Sequence, residues 1–207
     1  MTSNVDDLFR VTDAHIQPAA RTLTQAFQEE PLWVHFIPDE STRRKKVHYM
    51  FEFVLRYGVK YGQVRATSPD MESVLAWLPP GETEMTLWGQ MRCGAIPLAL
   101  RMGLELSMRQ IKSSDYMSAA HERLAPQRHT YLLIVGTAPR FQGQGYASKL
   151  LRPLFDRLDR GNMPCFLETH RDENVSIYRH YGFQVLEETT FPGSQVKNIP
   201  MLRPPQE

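Results

Sequence analysis

The first forty residues carry apolar side chains at a helical spacing, after a short stretch at 8–11 that predicts an opening strand. The helical positions recur about once per turn and are Ala19, Leu23, Ala26 and Phe27. Asp13 is placed to cap this helix, and the run Glu29-Glu30-Pro31 predicts its end. The residues that follow, which include Trp33, are interpreted as a loop.

A second, basic helix is predicted to begin at Ser41 or Thr42, and Gly58 and Gly62 are expected to break it. The next two apolar segments, 63–67 and 73–78, read as the two strands of a hairpin, because a turn sequence separates them. The first eighty residues therefore predict helices that lead into a sheet.

The segment 84–125 differs in character and holds five of the ten methionines. Leu100, Leu104, Met108 and Ile111 form one helical stripe, although alternation between residues 98 and 106 also allows a strand. We favour a helical insertion, because the segment is long and poor in β-branched residues. Its methionines are interpreted as core or dimer contacts; they are Met85, Met91, Met102, Met108 and Met117.

From Thr130 onwards the pattern is the clearest in the chain. A continuous apolar strand at 131–135 is followed by a loop and by an amphipathic helix that Gly161-Asn162 closes. Three further strands are predicted at 164–168, 182–186 and 196–202, with a short helix from Asn174 to Tyr181 between the first two. Strands and helices together predict a mixed α/β fold of the α+β type.

Length and composition suit one domain over residues 1–207. The formal net charge of +1 gives no reason to expect nucleic acid or an anionic membrane as a partner. Cys93 and Cys165 do not form a disulfide framework, and the histidines and cysteines lack metal-ligand spacing, so we expect no metal. The N-terminus lacks the apolar core of a signal peptide, so we expect a cytoplasmic protein.

The loop from Gly136 to Ser148 contains the residues that predict a ligand-binding site. It joins a buried strand to a helix, and the unpaired N–H groups at a helix N-terminus suit a phosphate or pyrophosphate. Gly143 and Gly145 would let a ligand approach the backbone. A Walker loop is excluded because no Gly-Lys-Ser/Thr occurs. A dinucleotide loop, with Glu168 as the ribose-binding acid, is weakened because seven residues separate Val135 from Gly143.

Two motifs together resemble the GNAT (Gcn5-related N-acetyltransferase) family. The run Gln142-Gly-Gln-Gly-Tyr-Ala147 is similar to the acyl-CoA loop of that family, with the pattern Q/R-x-x-G-x-G/A. The run Asn174-Val-Ser-Ile-Tyr178 followed by Gly182-Phe183 resembles the family's second motif, with one residue fewer between Asn and Tyr. The insertion and Pro153, within the helix, are similar to the branch that contains puromycin N-acetyltransferase.

The resemblance implies a largely antiparallel sheet of six or seven strands, flanked by helices and splayed between strands 4 and 5. It also implies acetyl-CoA as the acyl donor and a primary amine of a small molecule or peptide as the acceptor, with direct transfer in a ternary complex. Tyr178 would protonate the departing thiolate. The cofactor would lie against Val135, Gly136, Thr137, Gln142, Gly143, Gln144, Gly145, Tyr146, Ala147, Ser148 and Asn174.

The general base is not fixed by the sequence, because the fourth strand carries no acid. Glu29, Glu30 and Trp33 lie where this family often borders its acceptor site, and His121 and His129 flank the entry to the fourth strand. Two other functions stay open at this point: a non-catalytic acyl-CoA-binding module and an NAD(P)-dependent oxidoreductase. The identity of the amine and the existence of a homodimer are also open.

Overall fold

A computed structural model describes residues 4–126 and 128–206 of the chain. It has a mixed sheet between helices. The strands are β1 (Phe9–Arg10), β2 (Gln63–Ala66), β3 (Ser73–Leu78), β4 (Thr130–Thr137), β5 (Cys165–Thr169), β6 (Gln184–Val185), β7 (Thr189–Thr190) and β8 (Lys197–Arg203). The α-helices are α1 (Ile16–Ala26), α2 (Pro31–Phe36), α3 (Glu40–Tyr61), α4 (Leu87–Arg92), α5 (Ala95–Met102), α6 (Leu104–Leu124), α7 (Tyr146–Arg160) and α8 (Asp172–His180).

The sheet has the order β1-β2-β3-β4-β5-β8-β6, and β7 pairs with β8 outside this path. All pairs are antiparallel except β4 with β5, which are parallel. These two strands pair only at Thr130↔Cys165 and Tyr131↔Phe166, although β4 continues to Thr137 and β5 to Thr169. The strands therefore separate after their second pair, which confirms the predicted splayed, largely antiparallel fold; the described chain has eight strands rather than six or seven.

Alternating residues of β3 show how the helices cover the sheet. Val74 and Ala76 belong to the core cluster that α1 and α3 complete, whereas Leu75 and Trp77 pack with α7 on the other face. The apolar stripe of α7 lies in this second cluster and consists of Leu150, Leu151, Leu154, Phe155 and Leu158. The site described below therefore rests on a strand pair that is packed on both faces.

Three local predictions in the first half need correction. The residues after Glu30 form the short helix α2 instead of a loop, because Pro31 stands in its first turn, where the missing N–H costs nothing. Helix α3 is capped by Asp39, whose side chain accepts a hydrogen bond from the Thr42 N–H, and not by Ser41 or Thr42. It also continues through Gly58, where an added Cβ would lie 2.9 Å from the Val64 side chain, and ends only at Gly62.

The insertion is helical, as expected, and consists of α4, α5 and α6. The stripe predicted at Leu100, Leu104, Met108 and Ile111 is exposed, and Gly103, with a φ of 83°, divides it between two helices. The buried side chains at this junction are instead those of Met102 and Leu106. Within the described residues, none of the helices is both long and apolar enough to span a membrane.

Candidate active site

The loop that joins β4 to α7 is held open by its own side chains. Gly143 and Gly145 have φ values of 73° and 79°, a region that disfavours side chains, and a Cβ at either position would meet no neighbouring atom. The Gln142 amide donates to the Thr137 carbonyl at 3.0 Å, and the Gln144 amide donates to the Arg140 carbonyl at 2.8 Å. The loop is thus shaped internally and leaves open space above its glycines.

The N-terminus of α7 faces this loop with the N–H groups of its first turn, Tyr146, Ala147 and Ser148. That turn contains no acidic residue. The exposed cations of Arg140 and Lys149 flank it. Free N–H groups, the positive end of the helix dipole and these cations together fit a pyrophosphate.

The end of β4 presents a free backbone edge to the gap beside β5. The Ala138 N–H donates to the Glu72 carbonyl at 2.9 Å, so Ala138 and, by alternation, Gly136 direct their backbone groups towards β3. The backbone groups of Val135 and the N–H of Thr137 then point into the gap, while the Thr137 carbonyl accepts the hydrogen bond from Gln142. A Cβ on Gly136 would lie 2.7 Å from Leu23, so this glycine also allows α1 to pack on the strand.

Tyr178 projects from α8 onto the opposite side of the gap. Its ring lies edge-to-face with Phe183, 5.5 Å between centroids, and its hydroxyl has no hydrogen-bond partner among the described residues. Burial raises the pKa of Tyr178 above its usual value, and the nearby Cys165 and Glu30 add to the shift. The phenol is therefore protonated at neutral pH and free to donate.

Asn174 and Tyr181, which flank Tyr178 in the second motif, already make side-chain hydrogen bonds. The Asn174 amide donates to the Thr169 hydroxyl at 3.0 Å, at the end of β5. The Ser148 hydroxyl lies 2.6 Å from the Tyr181 hydroxyl, which ties α7 to the end of α8. Both contacts hold the walls of the gap in place, and the Ser148 N–H stays available at the helix N-terminus.

Glu168 lies at this gap and was not predicted to have a catalytic role. It lies on β5 just past the last pair with β4, and its carboxylate accepts hydrogen bonds from Tyr131 at 2.8 Å and from Asn198 at 3.2 Å. Burial raises the pKa of Glu168 to about 7, although both hydrogen bonds oppose the shift. The sequence contained one signal that could have indicated this residue, which is an acidic side chain directly after the apolar run Cys165-Phe166-Leu167.

Glu168 and Tyr178 approach the gap from different sides. Side chains alternate along β5, and Cys165 and Leu167 pack in the same cluster as Tyr178. Glu168 is out of phase with them, and it shares its side with Phe166 and with the Tyr131 hydroxyl. A proton acceptor and a proton donor thus flank the point where β4 and β5 part.

The three residues predicted to border the acceptor site lie in different environments. Trp33 is buried against Phe51, and Glu30 is buried in an ion pair with Arg171 at 3.1 Å. Burial raises the pKa of Glu30, and Arg171 opposes the shift. Glu29 is exposed and reaches Arg43 at 3.2 Å, while its backbone carbonyl accepts a hydrogen bond from Arg171. Of the three, Glu29 lines a cleft, and Glu30 and Trp33 do not line it.

This cleft has a volume of about 1080 Å³ and lies between α2 and the segment that joins β7 to β8. Its wall includes Glu29, Val34, His35, His170, Phe191 and Val196. The His170 Nδ1 donates to the Lys197 carbonyl at 3.0 Å, and burial lowers the pKa of His170 to about 4, so its imidazole is neutral. His170 follows β5 directly, so the cleft begins within two residues of Glu168.

The described residues contain no group of three or more His, Cys, Asp or Glu side chains placed to hold a metal ion. The sheet is also mixed and largely antiparallel, whereas a dinucleotide fold requires a mostly parallel one, so the oxidoreductase interpretation is overturned. A splayed strand pair, a free backbone edge and a glycine loop at a helix N-terminus define an acyl-CoA-dependent acyltransferase.

Comparisons with known proteins agree with this class. Residues 112–183 match the Acetyltransferase (GNAT) family. An uncharacterised N-acetyltransferase of Schizosaccharomyces pombe is 26% identical over an alignment of 208 residues. The alignment covers 95% of this chain and 83% of that protein. The family match over residues 112–183 and this relative support an acyl-CoA-dependent acetyltransferase of the GNAT superfamily.

Two solved structures share the fold. One is the Corynebacterium glutamicum protein named "histone acetyltransferase HPA2 and related acetyltransferase", which has a TM-score of 0.66 and 20% sequence identity. The match covers 100% of this chain and 98% of that one. The other is arylalkylamine N-acetyltransferase 2 from Aedes aegypti, with a TM-score of 0.61 at 14% identity, covering 95% and 97%. At these identities the likeness concerns the fold alone.

Proposed function

We propose that this protein transfers the acetyl group of acetyl-CoA to a primary amine of a small molecule or peptide, by direct transfer in a ternary complex. The observation that carries the proposal is the pair formed by Glu168 and Tyr178, which flank the point where β4 and β5 separate. Acetyl-CoA supplies the acetyl group as a thioester that an amine can attack. The residues of the chain bind it and move the protons.

The binding residues follow from the free backbone groups. The edge of β4 at Val135 and Thr137 would pair with the pantetheine arm, as a strand would. The N–H groups from Gln142 to Ser148 would hold the pyrophosphate, because Gly143 and Gly145 leave the backbone open to it. Asn174 is turned towards Thr169 and would contribute to pantetheine binding after a change of rotamer.

Glu168 is proposed as the general base. The attacking amine loses a proton as its nitrogen bonds to the carbonyl carbon, and Glu168 would take that proton. A carboxyl whose pKa is about 7 is well matched to this task, because a large fraction of it, about half, is ionised at neutral pH and it is basic enough to hold the proton. Glu30 is less suited, since its carboxylate is committed to Arg171.

Tyr178 is proposed as the general acid. The carbon–sulfur bond breaks as the amide forms, and the sulfur leaves with the electron pair of that bond. Tyr178 would donate its proton to this thiolate, and its free hydroxyl has no competing partner among the described residues. The raised pKa of Tyr178 keeps the proton on the phenol until negative charge has developed on the sulfur.

The acceptor is proposed to bind in the cleft between α2 and the β7–β8 segment. Val34, Phe191 and Val196 offer it an apolar wall, and the Glu29 carboxylate and the neutral His170 can receive N–H donors. This lining suits an amine that carries an apolar body.

The test measures acetyl-CoA binding and then turnover. A rise in the melting temperature with acetyl-CoA and CoA, but not with NAD(P)H, is expected from selective binding to the folded state. Thiol release is then measured with an amine panel while both substrates are varied. Intersecting lines in a double-reciprocal plot are expected for a ternary complex. Parallel lines, or no thiol release with any amine despite binding, would overturn the proposal.

A further inference from the structure

The carboxylate of Glu168 is held from both neighbouring strands. Tyr131, on β4, donates its hydroxyl to Oε2 at 2.8 Å, and Asn198, on β8, donates its amide to Oε1 at 3.2 Å. Each carboxylate oxygen therefore has one donor. This arrangement fixes the plane of the carboxylate at the gap, because two separate donors restrain it.

Tyr131 is itself restrained by the last turn of the insertion. The ring of His121, on α6, lies 4.8 Å from the ring of Tyr131 and 4.8 Å from that of Phe166, tilted by 31° and 32°. Tyr131 and Phe166 form the last residue pair between β4 and β5. The His121 imidazole therefore covers the point from which the two strands diverge.

A second histidine fixes the orientation of the first. The two Nε2 atoms of His121 and His129 are 2.7 Å apart, and His129 Nδ1 lies 2.6 Å from the Pro126 carbonyl. Because a carbonyl only accepts, His129 Nδ1 carries a hydrogen, and its Nε2 then accepts from His121 Nε2–H. Burial lowers the pKa of His121 to about 4 and also lowers that of His129, so both rings are neutral at neutral pH.

Asn198 is fully buried, and its Oδ1 has no hydrogen-bond partner among the described residues. A buried acceptor without a donor destabilises a fold. The unpartnered Oδ1 therefore brings no benefit of its own at this position. What the Asn198 amide supplies is the N–H that Glu168 accepts.

We propose that Tyr131 and Asn198 are positioning residues that orient Glu168 and set how readily it takes a proton, and that His121 acts through Tyr131. The last turn of the helical insertion thereby becomes part of the catalytic apparatus. This inference rests on the proposed function, with Glu168 as its base.

The sign of the effect follows from the donors. Both hydrogen bonds favour the ionised carboxylate and so lower the pKa of Glu168 against the upward effect of burial. The other titratable groups near it are His121 and His129 on its own side of β5, and Cys165 and Tyr178 on the other. Loss of a donor must raise the pKa of Glu168, and the acid limb of activity moves to higher pH with it.

The experiment compares pH profiles of kcat/KM for the amine in wild type, Tyr131→Phe and Asn198→Leu, at saturating acetyl-CoA. Each variant is expected to move the acid limb up by about one to two pH units, the size of one hydrogen bond to a charged group. Tyr49→Phe is the matched control, since that tyrosine lies on α3 and its ring contacts His48 and Arg101 instead of the residues around Glu168. An acid limb that stays in place in both variants would overturn the inference.

A double-mutant cycle separates positioning from simple damage. On a Glu168→Gln background, Tyr131→Phe should cause no further loss, because the group through which it acts is gone. His121→Phe keeps an aromatic ring but removes the bond to His129, and should lower kcat while the KM for acetyl-CoA is unchanged. Additive losses in the cycle would contradict the inference. A wild type that binds no acetyl-CoA would instead contradict the proposed function.

Discussion

The segment from Thr130 to Arg203 and the insertion from Glu84 to Ala125 use apolar residues in opposite ways. In the first, the apolar stripe of α7 is buried and supports the loop that we propose binds acetyl-CoA. In the second, large apolar side chains are exposed, for example Leu100 and Leu104 at 80% and 81%. A helical period of apolar residues therefore identifies a helix, but the element that packs against the helix decides which of its faces is buried.

The two regions nevertheless meet at one place. His121, in the last turn of α6, contacts the rings of Tyr131 and Phe166, where β4 and β5 part. Most of the insertion thus lies outside the proposed chemistry, and its end lies within it. Mutations that separate catalysis from packing should therefore have large effects in the C-terminal segment and small effects along the insertion.

The largest effect is expected for Glu168→Gln. Removal of a general base lowers kcat by about 10²–10⁴-fold. Glu105→Gln is the matched change in the insertion, where the carboxylate is exposed and pairs only with Arg109. It should leave kcat unchanged. Thiol release at saturating substrates measures both, and equal rates for Glu168→Gln and wild type would show that the base is another group.

Mutations should also affect stability more strongly in the C-terminal segment than in the insertion. Leu154→Ala removes a fully buried side chain of α7 and should lower the free energy of unfolding by about 2–5 kcal/mol. Leu104→Ala, at the start of α6, should change it by less than about 0.5 kcal/mol. Urea unfolding at one pH compares the two. A similar loss for both would mean that the exposed face of the insertion is covered in solution.

Much of the C-terminal segment was predictable because its signals are local. The positive φ at Gly143 and Gly145 requires glycine, and the following apolar stripe specifies α7, so the sequence alone located the loop. The separation of β4 from β5 was expected only through the resemblance to the GNAT family, and the structure confirms it.

The part played by Glu168 was not predictable, because it depends on residues far apart in the chain. Tyr131 and Asn198 are 37 and 30 positions away from it, and only the sheet register brings them to its carboxylate. The same holds for Trp33, which is placed beside Glu29 and Glu30 in the sequence but is turned into the core by α2. Spacing along the chain carries no information about such contacts.

Tyr178→Phe should lower kcat by about 10²-fold, the lower end of the range for a general acid. Its ring contact with Phe183 is kept, so the free energy of unfolding should change little. Tyr116→Phe is a matched change in the insertion, where the ring packs on Phe191. An unchanged kcat together with an unchanged pH profile for Tyr178→Phe would remove it from the acid role.

The last prediction concerns the pH dependence of stability. The pKa of Glu168 is raised to about 7 in the folded protein from an ordinary value of 4.5, so the folded state holds a proton that the unfolded state has lost between these values. Its contribution to stability is fully present below about pH 4.5 and is lost as the pH rises through about 7. Relative to Glu168→Gln, wild type should therefore lose up to about 3 kcal/mol of unfolding free energy from pH 4.5 to pH 8. Urea unfolding across that range measures the difference, and Glu105→Gln, which removes an exposed carboxylate, should run parallel to wild type. Parallel curves for wild type and Glu168→Gln would mean that the carboxyl is not held in a buried site, which would also weaken its assignment as the base.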